Sequence, residues 1–419
     1  MKDNPTLFVD LYELTMAQVY FQKKMHKPAY FEVSVRRLPE NWGFFVMAGL
    51  SEVASYLAEF RFAKEDIDFL RSTRIFSDDF LRYLSELKPD VKIRGLPEGT
   101  VFFPQEPTFE LAGPLISAQI LESYILNILG FSIIQATLAA RTIVAARGRA
   151  VVDFGLRRCQ GPVASLRSAR AAQMAGFSAT SNLFAARVLN FATTGTMAHS
   201  FVQVHESEET SFHSFTQVYG ENAILLVDTY DSIKGIKTAA KVARSLYEQS
   251  GVRIKGIRLD SGDLLSLSNF ARKYFQENGV SFLRIFASGD LDEFKIHDLL
   301  KAGAQIDGFG IGTRFAVSRF APAIEIVYKI VQYGDKGVFK RSPDKEIRPG
   351  RKTITRLKNK FYDKDIVSPL KSCKDDLLKP FESAEPMQTI QQRLAGELAC
   401  LDDSIKAIRN PGRYSVEFV

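Results

Sequence analysis

The sequence predicts an α/β protein: a parallel α/β barrel preceded by an α+β module and followed by a small C-terminal portion. Six short apolar runs between Val151 and Thr313 each end in a polar cluster: VVDFG-LRR, TTGTMA-HS, ILLVDTYD, GIRLDSGD, RIFASGD and GFGIGT. A helical pattern of about three turns follows nearly every run, and a strand spacing of roughly 25 to 45 residues suits βαβ units. No Gly-x-Gly-x-x-Gly follows the first run, as a dinucleotide-binding open sheet would need, so right-handed crossovers are expected to close the units into a barrel. Such a barrel gathers the carboxyl ends of its strands on one face, where distant residues line one pocket.

Residues 1–113 read as the α+β module. Leu11 to Phe21 has helical periodicity, and Ala29 to Val35 alternates as a strand does. Helices are expected over Phe44 to Phe60 and Ala63 to Leu70, the latter entered at Lys64 to Asp66. Turn signals at Leu96-Pro97-Glu98-Gly99, Pro104 and Pro107 divide Val91 to Leu111 into hairpins, and the module ends near Gly113-Pro114. Residues 114–322 form the barrel, entered through a helical bridge from Leu115 to Ala146. Helices follow its strands at Val163 to Ala175, Glu208 to Phe215, Ile236 to Gln249, Leu264 to Asn278 and Leu291 to Ala302. Residues 323–419 change texture: Ala323 to Tyr333 and Gly337 to Lys340 read as strands, Arg348 to Lys352 as a turn and Glu385 to Leu394 as a helix. This last part is expected to pack on the N-terminal module or the barrel.

The composition is that of a folded globular protein, with 46% hydrophobic and 25% charged residues. A net charge of +7 and a pI near 9.1 raise the question of nucleic acid. The basic residues instead concentrate in the expected pocket (Arg157, Arg158, Arg258) and in Lys329 to Lys360, where acids punctuate them and no aromatic spacing for base stacking exists. No nucleic-acid partner is expected. Cys159, Cys373 and Cys400 are too few and scattered for a disulfide framework or a zinc site, which fits a reducing, cytoplasmic setting. The N-terminus, acidic from Asp3, has no secretory pattern. The apolar stretch Pro114 to Ala140 is broken by Gln119, Glu122, Asn127 and Gln135, so a buried helix pair is expected and no membrane span.

Each polar cluster has a functional and a structural reading. His199, at the expected end of a strand of small residues, can act as base or nucleophile, or pack as a hydrogen-bonded ring. The spacing of His199, His205 and His213 does not set two rings on one helix face, so a metal site built from them is not expected. Asp228 and Asp231 can hold Mg²⁺ or orient an imidazole, and Asp231 can equally cap the next helix. Arg258 offers a fork matched to a carboxylate or phosphate, and Asp260 an acceptor for vicinal hydroxyls, while Ser261 and Asp263 suit a helix cap. Ser288-Gly289-Asp290 and Gly310-Ile311-Gly312-Thr313 resemble phosphate cradles on the last two strands, where barrels often hold phosphate. Arg157 and Arg158 add cations. Tyr12 and Phe8 read as core aromatics.

Taken in order, DLYELTMAQVYF (Asp10 to Phe21), VVDFGLRR, GTMAHS, DTYD, RLDSGD, ASGDLDE (Ala287 to Glu293) and GFGIGT resemble the nicotinate phosphoribosyltransferase family, through about Lys352. The resemblance implies an irregular seven-stranded α/β barrel of the type II phosphoribosyltransferases. It implies formation of nicotinate mononucleotide and pyrophosphate from nicotinate and phosphoribosyl pyrophosphate in NAD salvage, coupled to ATP hydrolysis with Mg²⁺, formally a ligase reaction. It also implies a homodimer with shared active sites. His199 then matches the histidine that the family phosphorylates, and Tyr12 a tyrosine that stacks on the pyridine ring in the partner subunit's site, against its reading as core. Arg157, Ser181 and Arg258 would bind nicotinate; Arg258, Asp228 and Asp260 would join His199 in catalysis. Ser288, Gly289, Asp290, Gly310, Gly312 and Thr313 would hold phosphate, and Asp228 and Asp231 Mg²⁺. The related nicotinamide enzyme carries an aspartate where this chain aligns Ser181; a serine donates to a carboxylate, which favours the acid. The family reads close to GFDGTSN where this chain has Gly176 to Asn182, GFSATSN, so Ser178 and Ala179 depart from it.

Overall fold

The computed structural model describes residues 6–340, 348–370 and 375–419. Cys373, Asp3 and part of the basic ribbon after Lys340 lie outside the described residues. The chain divides into two units, Met1–Thr137 with Phe320–Val419, and Leu138–Arg319.

The front of the first unit runs α1 (Leu11–Gln22), β1 (Pro28–Val35), β2 (Phe45–Val46), α2 (Leu50–Glu59), α3 (Lys64–Ser72), α4 (Asp78–Glu86), β3 (Lys92–Gly95), β4 (Val101–Phe102), β5 (Phe109–Pro114), α5 (Leu115–Gln119) and the first part of α6 (Glu122–Ala146), whose residues from Leu138 on belong to the second unit. Alternation drives β1, which buries Ala29, Phe31, Val33 and Val35. The helix expected over Phe44 to Phe60 begins only at Leu50. Gly49 takes a left-handed backbone (φ +96°), and the Glu98 carboxylate accepts its N–H at 2.6 Å, so Phe45 and Val46 pair with β4 instead. Among the described residues α6 alone is long and apolar enough to cross a membrane, and 83% of its most apolar stretch is buried, as in a core helix.

The second unit contains β6 (Ala150–Asp153), α7 (Pro162–Ala175), β7 (Ala179–Thr180), α8 (Leu183–Leu189), α9 (His199–Gln203), α10 (Glu208–Tyr219), β8 (Ile224–Leu226), α11 (Ser232–Ser250), β9 (Gly256–Leu259), α12 (Leu264–Glu277), β10 (Arg284–Ala287), α13 (Glu293–Lys301), β11 (Gly308–Ile311) and α14 (Thr313–Ala316). Its strands form one parallel sheet in the order β7-β6-β11-β10-β9-β8, curled as a half-barrel. Where the run ending at His199 was expected to supply another strand, the structure has a single parallel bridge, Thr193 to Thr180, and then a loop; His199 opens α9. The run TTGT has one glycine and no large apolar residue to bury, which leaves little to hold a longer strand. β9 packs on α11 and α12, and β10 on α12, over a core that includes Leu225, Val227, Ile236, Ile257, Phe275 and Ile285.

The chain then returns to the first unit through β12 (Ile326–Tyr333), β13 (Lys336–Gly337), β14 (Lys352–Lys358), β15 (Tyr362–Pro369), β16 (Lys379–Pro380), α15 (Met387–Cys400), α16 (Asp403–Lys406) and β17 (Ser415–Phe418). β12 pairs antiparallel with β1, and β16 with β3, giving the sheet β13-β12-β1-β5-β3-β16. C-terminal strands therefore complete the N-terminal sheet. A second sheet, β14-β15-β17, is tied to β4 by Glu397, which accepts from Val101 N–H at 3.0 Å and from Arg356 at 2.9 Å.

Candidate active site

The tips of the parallel strands stay in register beyond their named ends. Backbone bonds run from Val227 N–H to Arg258 at 3.3 Å, from Ser288 N–H to Leu259 at 2.8 Å and from Phe154 N–H to Ile311 at 2.7 Å. The helices that follow start on polar caps drawn from the same clusters. Asp231 accepts the N–H of Lys234 for α11, Asp263 those of Leu265 and Ser266 for α12, and Asp292 that of Lys295 for α13. Strand tip and helix cap together hold each loop at both ends.

Arg258 leaves β9 as a mostly buried guanidinium, its side chain 15% exposed. One Nη donates to Thr196 Oγ1 at 2.5 Å, and the other lies 3.8 Å from Asp260. Its Nε is buried with no hydrogen-bond partner among the described residues. Burial lowers the Arg258 pKa; Asp260 and Asp228 oppose that shift, while the charge of Arg157 reinforces it. Arg157 itself is exposed on a single helical turn, Leu156–Arg158.

His199 lies beside this cation. Its Nδ1 is 3.1 Å from Thr229 Oγ1, and its Nε2 is 3.9 Å from Asp260 Oδ2. The other Asp260 oxygen accepts the Ser288 hydroxyl. Asp228 turns one oxygen to the Asp260 N–H, at 3.1 Å, and to the Ser261 hydroxyl. Its other oxygen, Oδ1, is buried without a partner among the described residues. Residues from four loops thus form one chain of contacts: Thr229, His199, Asp260, Arg258, Thr196, with Ser288, Asp228 and Ser261 as branches.

The remaining expected positions divide. Ser181 follows β7, its N–H bonded to Asp153 O at 2.9 Å, and Asp153 is buried between Gly155 N–H and Thr180 Oγ1. Asp231 caps α11. Ser288 gives its hydroxyl to Asp260, and Asp290 gives both carboxylate oxygens to Arg314 and Lys295, so backbone N–H groups are what this turn offers an anion. Gly289 (φ +90°) packs so closely that a Cβ would lie 1.8 Å from Asp260 O. Gly310 is inside β11, where a Cβ would come 2.4 Å from the Phe154 ring, so packing alone excludes a side chain there. Gly312 and Thr313 open α14. Tyr12 belongs to the other unit, on α1; it is 47% exposed, and burial together with Glu122 and Glu13 raises its pKa. The exposure contradicts the core reading for Tyr12 and for Phe8, which is also 47% exposed. His205 bonds Phe201 O at 2.7 Å and His213 lies 3.8 Å from Glu209.

Four site residues escaped the sequence reading. Thr196 and Thr229 lie inside GTMAHS and DTYD, but a threonine carries no charge that would mark it in a sequence. Ser261 serves Asp228 rather than the helix cap. Glu208, at the start of α10, has a buried unpartnered Oε1 among the described residues, and burial plus the charges of Asp228 and Asp231 push its pKa up to about 7. Only its place after the capping Ser207 signalled it. Among the described residues no group of three His, Cys, Asp or Glu is arranged as a ready metal cage. The unpartnered Asp228 Oδ1 fits Mg²⁺ of the kind that takes one or two protein carboxylates and completes its shell with substrate phosphates and water.

Known proteins match along most of this chain. A family model described as nicotinate phosphoribosyltransferase N-terminal domain matches residues 7–130, and the nicotinate phosphoribosyltransferase family model matches residues 149–363. Nicotinate phosphoribosyltransferase pncB2 of Mycobacterium tuberculosis is 45% identical over 350 residues, 84% of this chain and 75% of the relative. The Bacillus subtilis nicotinate phosphoribosyltransferase is 37% identical over 365 residues, 85% of this chain and 74% of the relative. Among solved structures, human nicotinic acid phosphoribosyltransferase superposes with a TM-score of 0.84 at 25% identity, covering 98% of this chain and 97% of that one. A nicotinate-nucleotide pyrophosphorylase from Pyrococcus furiosus gives 0.76 at 25% identity, covering 94% and 95%.

Proposed function

Because the chain belongs to the nicotinate phosphoribosyltransferase family, and so acts in NAD biosynthesis, we propose that the loops around Arg258 carry out its transfer in an ATP-driven salvage step. Nicotinate and phosphoribosyl pyrophosphate enter, and nicotinate mononucleotide and pyrophosphate leave. The observation that carries the assignment is the buried Arg258 guanidinium, whose Nε lacks a partner among the described residues and whose neighbours include Arg157. A carboxylate on a small planar ring satisfies both cations. Ser181 donates to the same carboxylate, and Tyr12 of the partner subunit stacks on the ring.

With nicotinate so held, its ring nitrogen attacks the ribose carbon as the bond to pyrophosphate breaks. Positive charge develops on the sugar, and Asp260 faces it with an oxygen not taken by Ser288. Asp228 Oδ1 would hold Mg²⁺, which supplies charge neutralisation for the leaving pyrophosphate. The C5 phosphate rests on backbone N–H groups of the Gly289 turn, which precedes the cap of α13, and of the Gly312-Thr313 turn, which opens α14. His199, its Nδ1 beside Thr229 and its other nitrogen on the Asp260 side, accepts the γ-phosphoryl of ATP: a P–N bond forms as the bond to ADP breaks. Release of that phosphoryl to water drives the otherwise uphill synthesis. The protein works as a homodimer in the cytoplasm; the free thiols of Cys159 and Cys400 suit that compartment.

The test incubates pure protein with phosphoribosyl pyrophosphate, Mg²⁺ and nicotinate, nicotinamide or quinolinate, with and without ATP. Nicotinate mononucleotide should form and ATP should stimulate it; its absence under every condition sinks the assignment. His199→Ala should abolish the stimulation. Stimulation that survives the change removes the phosphohistidine.

A further inference from the structure

We propose that Asp290 and Arg314 are a pair of positioning residues that set the distance between the two glycine turns of the phosphate cradle. The proposal rests on the reading of that cradle as the C5-phosphate site, and it gives Asp290 a task other than touching phosphate. Arg314 follows the second turn directly, on α14, and only 14% of its side chain is exposed. Its Nε donates to Asp290 Oδ1 at 2.5 Å and one Nη to Asp290 Oδ2, a two-pronged fork across the two loops. Its other Nη donates to Asp292 at 2.6 Å, and Asp292 caps α13 through the Lys295 N–H. Lys295 Nζ adds a third bond to Asp290 at 3.1 Å.

The backbone shows why such a clamp matters. Gly289 and Asp290 take successive left-handed conformations, φ +90° and +50°, and a non-glycine residue there is strained by about 1 kcal/mol or more. On the cradle reading, backbone N–H groups of this turn meet the phosphate, and their aim depends on the turn keeping its conformation. Without the fork, Asp290 has reason to relax toward an ordinary backbone, and the N–H groups would lose their aim. Exposed ion pairs usually contribute little, but a bidentate arginine within a network of four charges is the exception. The same fork keeps Arg314 off the substrate.

Asp290→Asn keeps the shape and removes the charge, and Arg314→Lys keeps the charge and removes the fork. In both, the KM for phosphoribosyl pyrophosphate should rise roughly tenfold, the scale of a lost charge-assisted hydrogen bond. The KM for nicotinate and kcat should stay within about threefold, because the groups around Arg258 and His199 are untouched. Calorimetry with inorganic phosphate and with phosphoribosyl pyrophosphate should show the same weakening. Unchanged affinity for both ligands overturns the proposal, as does a uniform fall in every parameter with the melting temperature, which marks a merely structural pair. Wild-type protein that binds neither ligand overturns the cradle itself and the clamp with it, a result distinguishable from wild-type binding retained in the variants.

Discussion

Arg258 combines two features that pull apart in most side chains: it is buried, and one of its donors has nothing to bond among the described residues. A lysine there would keep the charge but could not reach Thr196 and a ligand carboxylate in one plane. Arg258→Lys should therefore lower kcat/KM for nicotinate by on the order of tenfold or more, read by steady-state kinetics, with a smaller effect on phosphoribosyl pyrophosphate. Glu13, on α1 beside Tyr12, allows a sharper test by pH. It is fully buried, accepts from the Ser123 N–H at 3.1 Å and from its hydroxyl, and burial pushes its pKa up to about 7. The folded state therefore holds the proton more tightly than the unfolded chain. Glu13 adds most to stability below the ordinary carboxylate range, and that contribution is lost as pH rises from about 4.5 to 7. Glu13→Gln keeps an acceptor for Ser123 and cannot ionise, so its melting temperature should gain on wild type across that window; parallel curves would refute the assignment. At this scale the charged members of the site at strand ends were legible, because Asp, Arg and His there announce themselves. Thr196, Thr229 and Glu208 were not, since their importance comes from which loops the fold brings together.

At the scale of elements, packing overrules local preference. Gly235 lies on the first turns of α11, where alanine would favour the helix by about 1 kcal/mol. Yet a Cβ at Gly235 would sit 2.0 Å from Val227 O, so the helix rests directly on the strand tip that leads to Asp228. Displacing it should cost about 1–3 kcal/mol, and Gly235→Ala should melt lower than wild type in thermal denaturation. A higher melting temperature would mean that α11 can shift without loss. The regular βα units were readable from their apolar runs and acid caps: β8, β9, β10 and β11 fall where the sequence put them. The strand expected before His199 reaches only a single bridge at Thr193, because Thr193 to Thr196 offers one glycine and no large apolar side chain to bury, and a helix expected at Phe44 yielded to the bond between Gly49 and Glu98. Expectation and structure part where a distant residue decides.

For the whole molecule, the reading makes the functional unit larger than the chain. If Tyr12 completes the site of a second copy, Tyr12→Ala and His199→Ala proteins, each inactive in the ATP-stimulated reaction, should restore activity when unfolded together and refolded. Random pairing in a two-fold dimer returns about a quarter of the sites to wild-type composition. Continued inactivity of refolded mixtures, with refolded wild type active, would place Tyr12 in its own subunit's site. The sequence also gave no sign that β12 belongs beside β1, because strand pairing over some three hundred residues leaves no local pattern. That pairing bears on the order in which the molecule can be made. On the ribosome, the first 137 residues emerge long before the strands that flank β1 and β3, and must wait with both edges bare. The segment from Leu138 to Arg319 carries all six strands of its own sheet and can finish first. The N-terminal residues are made before that segment yet close after it, and their unpaired edges are where a nascent chain would need shielding from its neighbours.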